Sequence, residues 1–130
     1  MSKNTGNLQD KSGNSLFPNV IDTVSNSNGT ALKFADGTMI CYGKRTWTGL
    51  NNNVVVGGLY YTGILSLGDY PTPFIEVPCV YINACVGPYN IMEYNCRNSL
   101  TSIGDCFLAN GTSRNNQSST VCYIAIGKWK

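Results

Sequence analysis

The residues that could carry acid–base or nucleophilic chemistry are few in this sequence. Histidine is absent, which removes the commonest general base and the commonest metal ligand. Cleavage of a glycosidic bond needs two carboxylates about 5 to 10 Å apart. Only four of the seven acidic residues lie outside the N-terminal segment and the turn predicted at Asp36: Asp69, Glu76, Glu93 and Asp105. Glu93 could pair with Asp105 across a hairpin, but nothing in the spacing requires it. We therefore expect no catalytic residues and no enzymatic activity.

The cysteines could form a metal site or disulfides. There are six, at Cys41, Cys79, Cys85, Cys96, Cys106 and Cys122. None forms a Cys-x-x-Cys pair, and without histidine a zinc site would need four scattered thiolates, so we expect no metal and no cofactor. Cys41, Cys79 and Cys122 lie in apolar runs and are expected to be buried free thiols. One or two disulfides remain open among the other three, which lie nearer to polar turns.

Recognition of a sugar is a chemistry that the remaining residues can perform. It needs flat aromatic faces for the C–H side of the ring and amide, carboxylate or guanidinium groups for the hydroxyls. Three clusters combine both kinds: Arg45 with Trp47, Asp69 with Tyr70, and Tyr89, Asn90, Tyr94, Asn95 and Arg97. The loop at 68–73 is the most attractive, because two prolines stiffen it. The alternative is that the aromatic rings belong to the core or to a subunit interface.

The charge balance argues against two classes of partner. Charged residues make up 12% of the 130 residues and the formal net charge is +2, so no basic field for nucleic acid is present. No stretch approaches the roughly 20 apolar residues that span a bilayer. The N-terminal segment MSKNTGNLQDKSGN lacks the apolar centre of a signal peptide. We expect no nucleic-acid partner, no membrane insertion and no signal-directed export.

The sequence predicts that these residues lie on short β-strands and the turns between them. Residues 1–29 are polar apart from the apolar island Leu16–Ile21, which predicts an extended connector. From residue 30 onward, alternating segments separated by turn residues predict six to nine strands, and no stripe of helical period is seen. Asp36-Gly37 predicts a type I′ hairpin, Cys79–Ala84 a paired strand, and the apolar C-terminal segment a last strand. The expected fold is an all-β, antiparallel sandwich over residues 30–130.

Three segments resemble a known family. Residues 28–43 (NGTALKFADGTMICYG), 74–80 (FIEVPCV) and 123–130 (YIAIGKWK) resemble the C-terminal knob of bacteriophage tail-fibre and minor structural proteins. Residues 8–18 (LQDKSGNSLFP) are similar to the segment that precedes such knobs in phages of Gram-positive hosts. The match covers about 100 residues and is specific at only three places.

The resemblance implies a compact sandwich similar to H-type lectin and tail-fibre tip domains, assembled as a homotrimer at the end of a fibre. It implies attachment to a bacterial surface glycan, contact with other virion proteins, and a virion location after synthesis in the host cytoplasm. It transfers no ligand-contacting residue, because the middle of the family pattern varies. The expected glycan contacts therefore come from the clusters above: Arg45, Trp47, Asp69, Tyr70, Tyr94 and Arg97.

The apolar island of the connector is the expected oligomer interface, through Leu16, Phe17, Val20 and Ile21, because it has few other ways to leave water. Two other functions remain open. One is a structural virion module, such as a baseplate, head-fibre or capsid-decoration protein that acts in assembly only. The other is a lectin or adhesin domain of a bacterium. A sugar-binding module should expose an aromatic ring beside convergent polar groups, whereas an assembly module should bury its aromatic rings in subunit contacts.

Overall fold

The computed structural model describes residues 11–12, 19–86 and 92–130, without the side chains of 85, 86 and 92. Over these ranges the chain is all-β and contains no helix, as the sequence predicts, so no helix there could cross a membrane. The strands are β1 (Val20–Asn26), β2 (Gly29–Phe34), β3 (Thr38–Asn52), β4 (Val54–Val56), β5 (Leu59–Tyr61), β6 (Leu65–Ser66), β7 (Cys79–Val86), β8 (Met92–Cys96), β9 (Asp105–Asn110) and β10 (Arg114–Lys128).

The strands form two antiparallel sheets. The first sheet has the order β1-β2-β3-β10-β7, and its longest pairing joins β3 to β10. The second has the order β4-β5-β9-β6, with β8 paired to the other edge of β9. Each sheet therefore has one face toward a shared core and one face outward.

The core is filled from both sheets and from the segments between them. Because side chains alternate along a strand, β3 and β10 turn Met39 and Val121 inward. Leu67, Ile103 and Leu108 meet them, and all five are fully buried. Burying an aliphatic side chain of this size contributes about 1.5 to 3 kcal/mol, so this cluster is a main source of stability.

The predicted hairpin between β2 and β3 is present, but its turn differs from type I′. The amide of Gly37 donates to the carbonyl of Phe34 at 3.0 Å, and only Gly37 has a positive φ, of 95°. This is the pattern of a type I turn followed by a left-handed glycine. The C-terminus closes the same corner, because the indole Nε1 of Trp129 donates to the Phe34 carbonyl at 2.8 Å.

The predicted boundary between connector and sandwich, after residue 29, is too late. Strand β1 pairs with β2 from Val20 opposite Phe34 to Asn26 opposite Gly29, so the sheet includes residues 20–29. The sequence signal for β1 was weak, because Val24 is the one residue of this strand that packs against the core and the strand shows little apolar alternation. Of the four predicted interface residues, Val20 and Ile21 are exposed, and Leu16 and Phe17 lie outside the described residues.

The burial of the cysteine side chains differs from the prediction. Cys41 and Cys106 are buried, but Cys79 and Cys122 are exposed, and these four and Cys96 are free thiols. Cys79 and Cys122 do lie in strands, as expected, but on positions that point away from the core. Strand residence was therefore predicted correctly, while burial of these two thiols was wrong.

Buried thiol and phenol groups predict a loss of folding stability at alkaline pH. Burial raises the pKa of the Cys41 thiol to about 12, that of Cys106 to about 11, and those of Tyr70 and Tyr123 to about 12. The unfolded chain releases these protons at its ordinary values near 9 and 10. The folded chain retains them, so its stabilisation is complete below pH 9 and is lost as the pH rises toward 12.

We therefore expect the urea midpoint of unfolding to fall steadily between pH 9 and pH 11. Each ionising group contributes about 1.4 kcal/mol per pH unit above its unfolded pKa. The Cys41→Ala variant should show a shallower fall, because one of the groups is gone. A midpoint that does not change over this range would contradict the prediction.

Candidate functional site

Arg45 and Trp47 do not form an exposed platform. Both occupy positions of β3 that turn toward the interior, and Trp47 packs against the core. The guanidinium carbon of Arg45 lies 5.6 Å from the centroid of the Tyr123 ring. Its Nη2 donates to the carbonyl oxygens of Asn28 at 3.1 Å and Asp69 at 3.3 Å. Arg45 thus joins the β1–β2 turn to the 68–70 segment, which is a structural role.

The prediction of Tyr70 as a glycan contact is wrong. Its side chain is 3% exposed, and its ring meets that of Phe74 edge-on with 4.9 Å between centroids. The Tyr70 amide donates to the Thr101 carbonyl at 2.9 Å, and Asp69 forms a bridge with Ser102, so the loop folds back onto the domain. The two prolines stiffen a segment that packs inward. Asp69 is exposed, but Tyr70, the aromatic residue expected beside it at the site, is buried.

The third cluster is only partly described, and it yields the candidate site. Tyr89 and Asn90 lie outside the described residues. On the outer face of the second sheet, Tyr94 of β8 is directly opposite Phe107 of β9. Tyr61 of β5 lies beside them, with its ring centroid 6.0 Å from that of Tyr94. We name Tyr61, Tyr94 and Phe107 the aromatic face.

A charged pair borders the aromatic face. Asp105 precedes Phe107 by two residues on β9, so both side chains point outward about 7 Å apart along the strand. The Nη1 of Arg97 donates to Oδ2 of Asp105 at 3.2 Å. The guanidinium is largely exposed and carries five N–H donors, more than one carboxylate can use. The Asp105 side chain is only 18% exposed, so the Arg97 donors are the charged groups that sugar hydroxyls can reach beside the aromatic rings.

The position of Arg97 is fixed by the loop that follows β8. Arg97 has a φ of 62°, an uncommon conformation for a non-glycine residue. The Asn95 amide donates to the carbonyls of Ile103 and Asp105, each at 3.1 Å. The Asn98 amide donates to Asn95 Oδ1 at 2.7 Å and to the Ile103 carbonyl at 2.6 Å. These bonds hold the loop in one shape, which lowers the entropic cost of binding.

An apolar groove of about 410 Å³ adjoins the aromatic face. Its walls include Val54 and Val56 of β4, Ile64, and the rings of Tyr61 and Phe107. Desolvation, with a smaller effect of Tyr94, raises the pKa of the Tyr61 phenol above its ordinary value. The site can therefore take the apolar side of a ring while presenting hydroxyl and guanidinium groups at its edge.

The site does not bring the predicted carboxylate pair together. Glu93 is opposite Leu108, whereas Asp105 is opposite Cys96, so the two acids belong to opposite faces of the sheet. Among the described residues, no group of three or more His, Cys, Asp or Glu side chains is placed to hold a metal ion. The arrangement suits binding of a neutral polar ligand.

Of the candidate site residues, sequence reasoning named Tyr94 and Arg97 but not Tyr61 or Phe107, and it considered Asp105 only as a possible acid. The available signal was the alternation Asp105-x-Phe107, which puts an acid and an aromatic ring on one face of a strand. Pairing of β9 with β8 and β5 then supplies the two tyrosines. That pairing is long-range and has no local mark in the sequence.

Comparison with known proteins found no matching family model and no matching curated protein. An N-truncated R1-type pyocin tail fibre is 17% identical over 81% of this chain and 84% of that one, with a TM-score of 0.47. A P. aeruginosa R1 pyocin fibre comprising C-terminal residues 323–701 is 15% identical over 95% of this chain and 35% of that one, with a TM-score of 0.46. The chain thus spans about a third of the second structure. Similarity at this level assigns no function.

Proposed function

We propose that this protein is a receptor-binding tip of the phage tail-fibre type, which attaches to a bacterial cell-surface glycan through the aromatic face. The observation that carries the proposal is the outward Tyr61–Tyr94 pair beside the Arg97–Asp105 pair. The resemblance of three sequence segments to tail-fibre knobs supports the context. The proposed site is non-catalytic, because Glu93 and Asp105 lie on opposite faces.

In the proposed complex, the aromatic rings and the charged groups contact different parts of the sugar. A sugar ring presents C–H bonds on one side, which pack on the face of Tyr94 or Tyr61. Its hydroxyls at the rim reach Arg97, which Asp105 holds in place, and such charge-assisted hydrogen bonds are shorter and stronger than neutral ones. A single site of this size binds weakly, so we propose that the tip acts as a homotrimer that gains avidity from several sites.

The proposed setting follows from the same resemblance. The protein is made in the host cytoplasm, joins other virion proteins, and is displayed on a tail fibre or another surface appendage. A neutral surface suits this role, because the net charge of +2 neither attracts nor repels most bacterial polysaccharides strongly.

The test is binding of the intact protein to whole bacteria and to a glycan array, with variants of the aromatic face. We expect Tyr94→Ala and Arg97→Ala each to weaken binding about tenfold or more, a loss typical of a central contact residue. Tyr94→Phe should retain most binding, because the ring is kept. Ile75→Ala is the control, since Ile75 is an exposed apolar residue of the 71–78 segment, away from the face.

Two outcomes would contradict the proposal. Equal binding by Tyr94→Ala, Arg97→Ala and Ile75→Ala would remove the site from this face. An absence of binding to any bacterial surface or glycan, by correctly folded protein, would favour the structural virion module. The observation that favours that second function is the apolar outer face of the first sheet, where large side chains remain exposed.

A further inference from the structure

The groove beside the aromatic face is lined almost entirely by apolar groups. Val54 and Val56 of β4 and Ile64 line it, and all three side chains are exposed. The rings of Tyr61 and Phe107, which belong to the aromatic face, line it as well. Within the described part of the chain, no charged side chain lines the groove. These walls stay in contact with water until a ligand covers them, so an apolar group of the ligand gains free energy by entering.

The groove offers a ligand few hydrogen bonds. The lining residue Thr62 is 2% exposed, and its Oγ1 accepts a hydrogen bond from the amide of Leu108 at 3.1 Å. The phenol of Tyr61 is the other polar side-chain group among the described lining residues. A ligand hydroxyl that entered the groove would give up hydrogen bonds to water with little to replace them. The groove therefore favours an apolar group over a hydroxyl.

The groove and the guanidinium of Arg97 lie on opposite sides of the aromatic rings. Along β9, Asp105, which holds Arg97, precedes Phe107 by two residues, or about 7 Å. The next outward position of β9 is opposite Tyr61, and Tyr61 is opposite Val54 of the groove on its other side. A sugar that stacks on the rings thus has guanidinium donors at one edge and an apolar groove at the other.

We propose that the receptor glycan carries an aliphatic substituent, either an acyl group or the methyl group of a deoxy sugar, which occupies this groove. The hydroxyls on the opposite edge of the same sugar reach Arg97. This inference rests on the proposed function, because it names the kind of sugar that the same site selects. Val54 and Val56 are then residues that determine specificity. The groove volume of about 410 Å³ lies within the range of about 300 to 1,000 Å³ found for ligand pockets.

Strand β4 supplies a matched control for these two valines. Val55 lies between them and is opposite Tyr60, so its side chain points to the other face of the strand and does not line the groove. The exposed fractions of Val54, Val55 and Val56 are 48%, 62% and 59%. A change of valine to serine is therefore the same chemical change at similar exposure in all three positions, and only two of them alter the groove.

The test compares binding of the intact protein to pairs of immobilised ligands that differ in the substituent. One pair is an L-fucoside and an L-galactoside, which differ by a methyl group in place of a hydroxymethyl group. The other is bacterial polysaccharide before and after mild alkaline removal of its O-acyl groups. We expect a preference of about tenfold for the substituted member of at least one pair, as for a methyl group in an apolar pocket. Val54→Ser and Val56→Ser should remove most of this preference, and Val55→Ser should keep it.

The outcomes separate this inference from the proposed function. Equal binding to both members of each pair, by a protein whose Tyr94→Ala variant no longer binds, would overturn the inference and leave the glycan site in place. A preference that persists unchanged in Val54→Ser and Val56→Ser would overturn the assignment of the substituent to the groove. An absence of binding to all these ligands and to bacteria would overturn both.

Discussion

Replacing Tyr70 with alanine is expected to lower the free energy of unfolding by about 3 to 5 kcal/mol, as for other buried aromatic residues. The ring of Tyr70 is almost completely buried between Phe74 and Tyr123, whose centroids lie 4.9 and 6.5 Å away. Its removal leaves a cavity, and Pro71 and Pro73, which follow Tyr70 in the chain, limit the backbone movement that could fill it. Urea denaturation at pH 7 measures the loss, and any fall in glycan binding by this variant would report unfolding.

The matched variant is Tyr70→Phe. The hydroxyl of Tyr70 is buried, and no hydrogen-bond partner for it is found in the described part of the chain. A buried unpaired polar group costs about 1 to 3 kcal/mol, so its removal should leave stability unchanged or raise it. Binding to the glycan should also be unchanged, because the aromatic face is elsewhere. A loss in Tyr70→Phe as large as that in Tyr70→Ala would show that the hydroxyl, and not the ring, holds this corner.

The architecture could be predicted because its signals are local. Alternation in residues 30–43 and in the last strand, and a glycine after Asp36, each act over a few residues. The start of β7 at Cys79 follows from Pro78, which cannot donate to a sheet. The type of the first hairpin turn was missed, because Asp36-Gly37 is compatible both with type I′ and with a type I turn plus glycine.

The location of the site could not be predicted to the same extent, because it depends on which face of each strand is covered. Alternation separates Cys41 from Tyr42 but does not say which one meets the core when both faces are apolar. The first sheet is such a case, since Tyr42, Ile124 and Tyr81 are as apolar as the residues beneath them. Tyr94 and Arg97 were predicted from proximity in sequence, and Tyr61 joined them through pairing across β9.

The two outer faces differ in composition. The face around Tyr94 combines aromatic rings with a charged pair held by a hydrogen-bonded loop, which suits a small polar ligand. The face around Ile124 carries large exposed apolar side chains, with Lys44 and Lys128 beside them.

Replacing Gly104 with alanine is expected to cost about 3 kcal/mol or more and to weaken glycan binding by the protein that remains folded. Gly104 has a φ of 91°, where an alanine is strained by about 1 to 3 kcal/mol. A Cβ there would overlap the carbonyl oxygen of Cys96 and lie 2.9 Å from the carbonyl group of Arg97. The overlap adds a cost of similar size, and its relief moves the backbone that carries the Arg97 guanidinium.

Gly111→Ala is the control, since a Cβ at Gly111 meets nothing within 4 Å and should change stability by less than about 0.5 kcal/mol. Equal stabilities of the two variants in urea would show that the 97–104 loop can relax without cost, and the loop would then no longer account for the fixed position of Arg97.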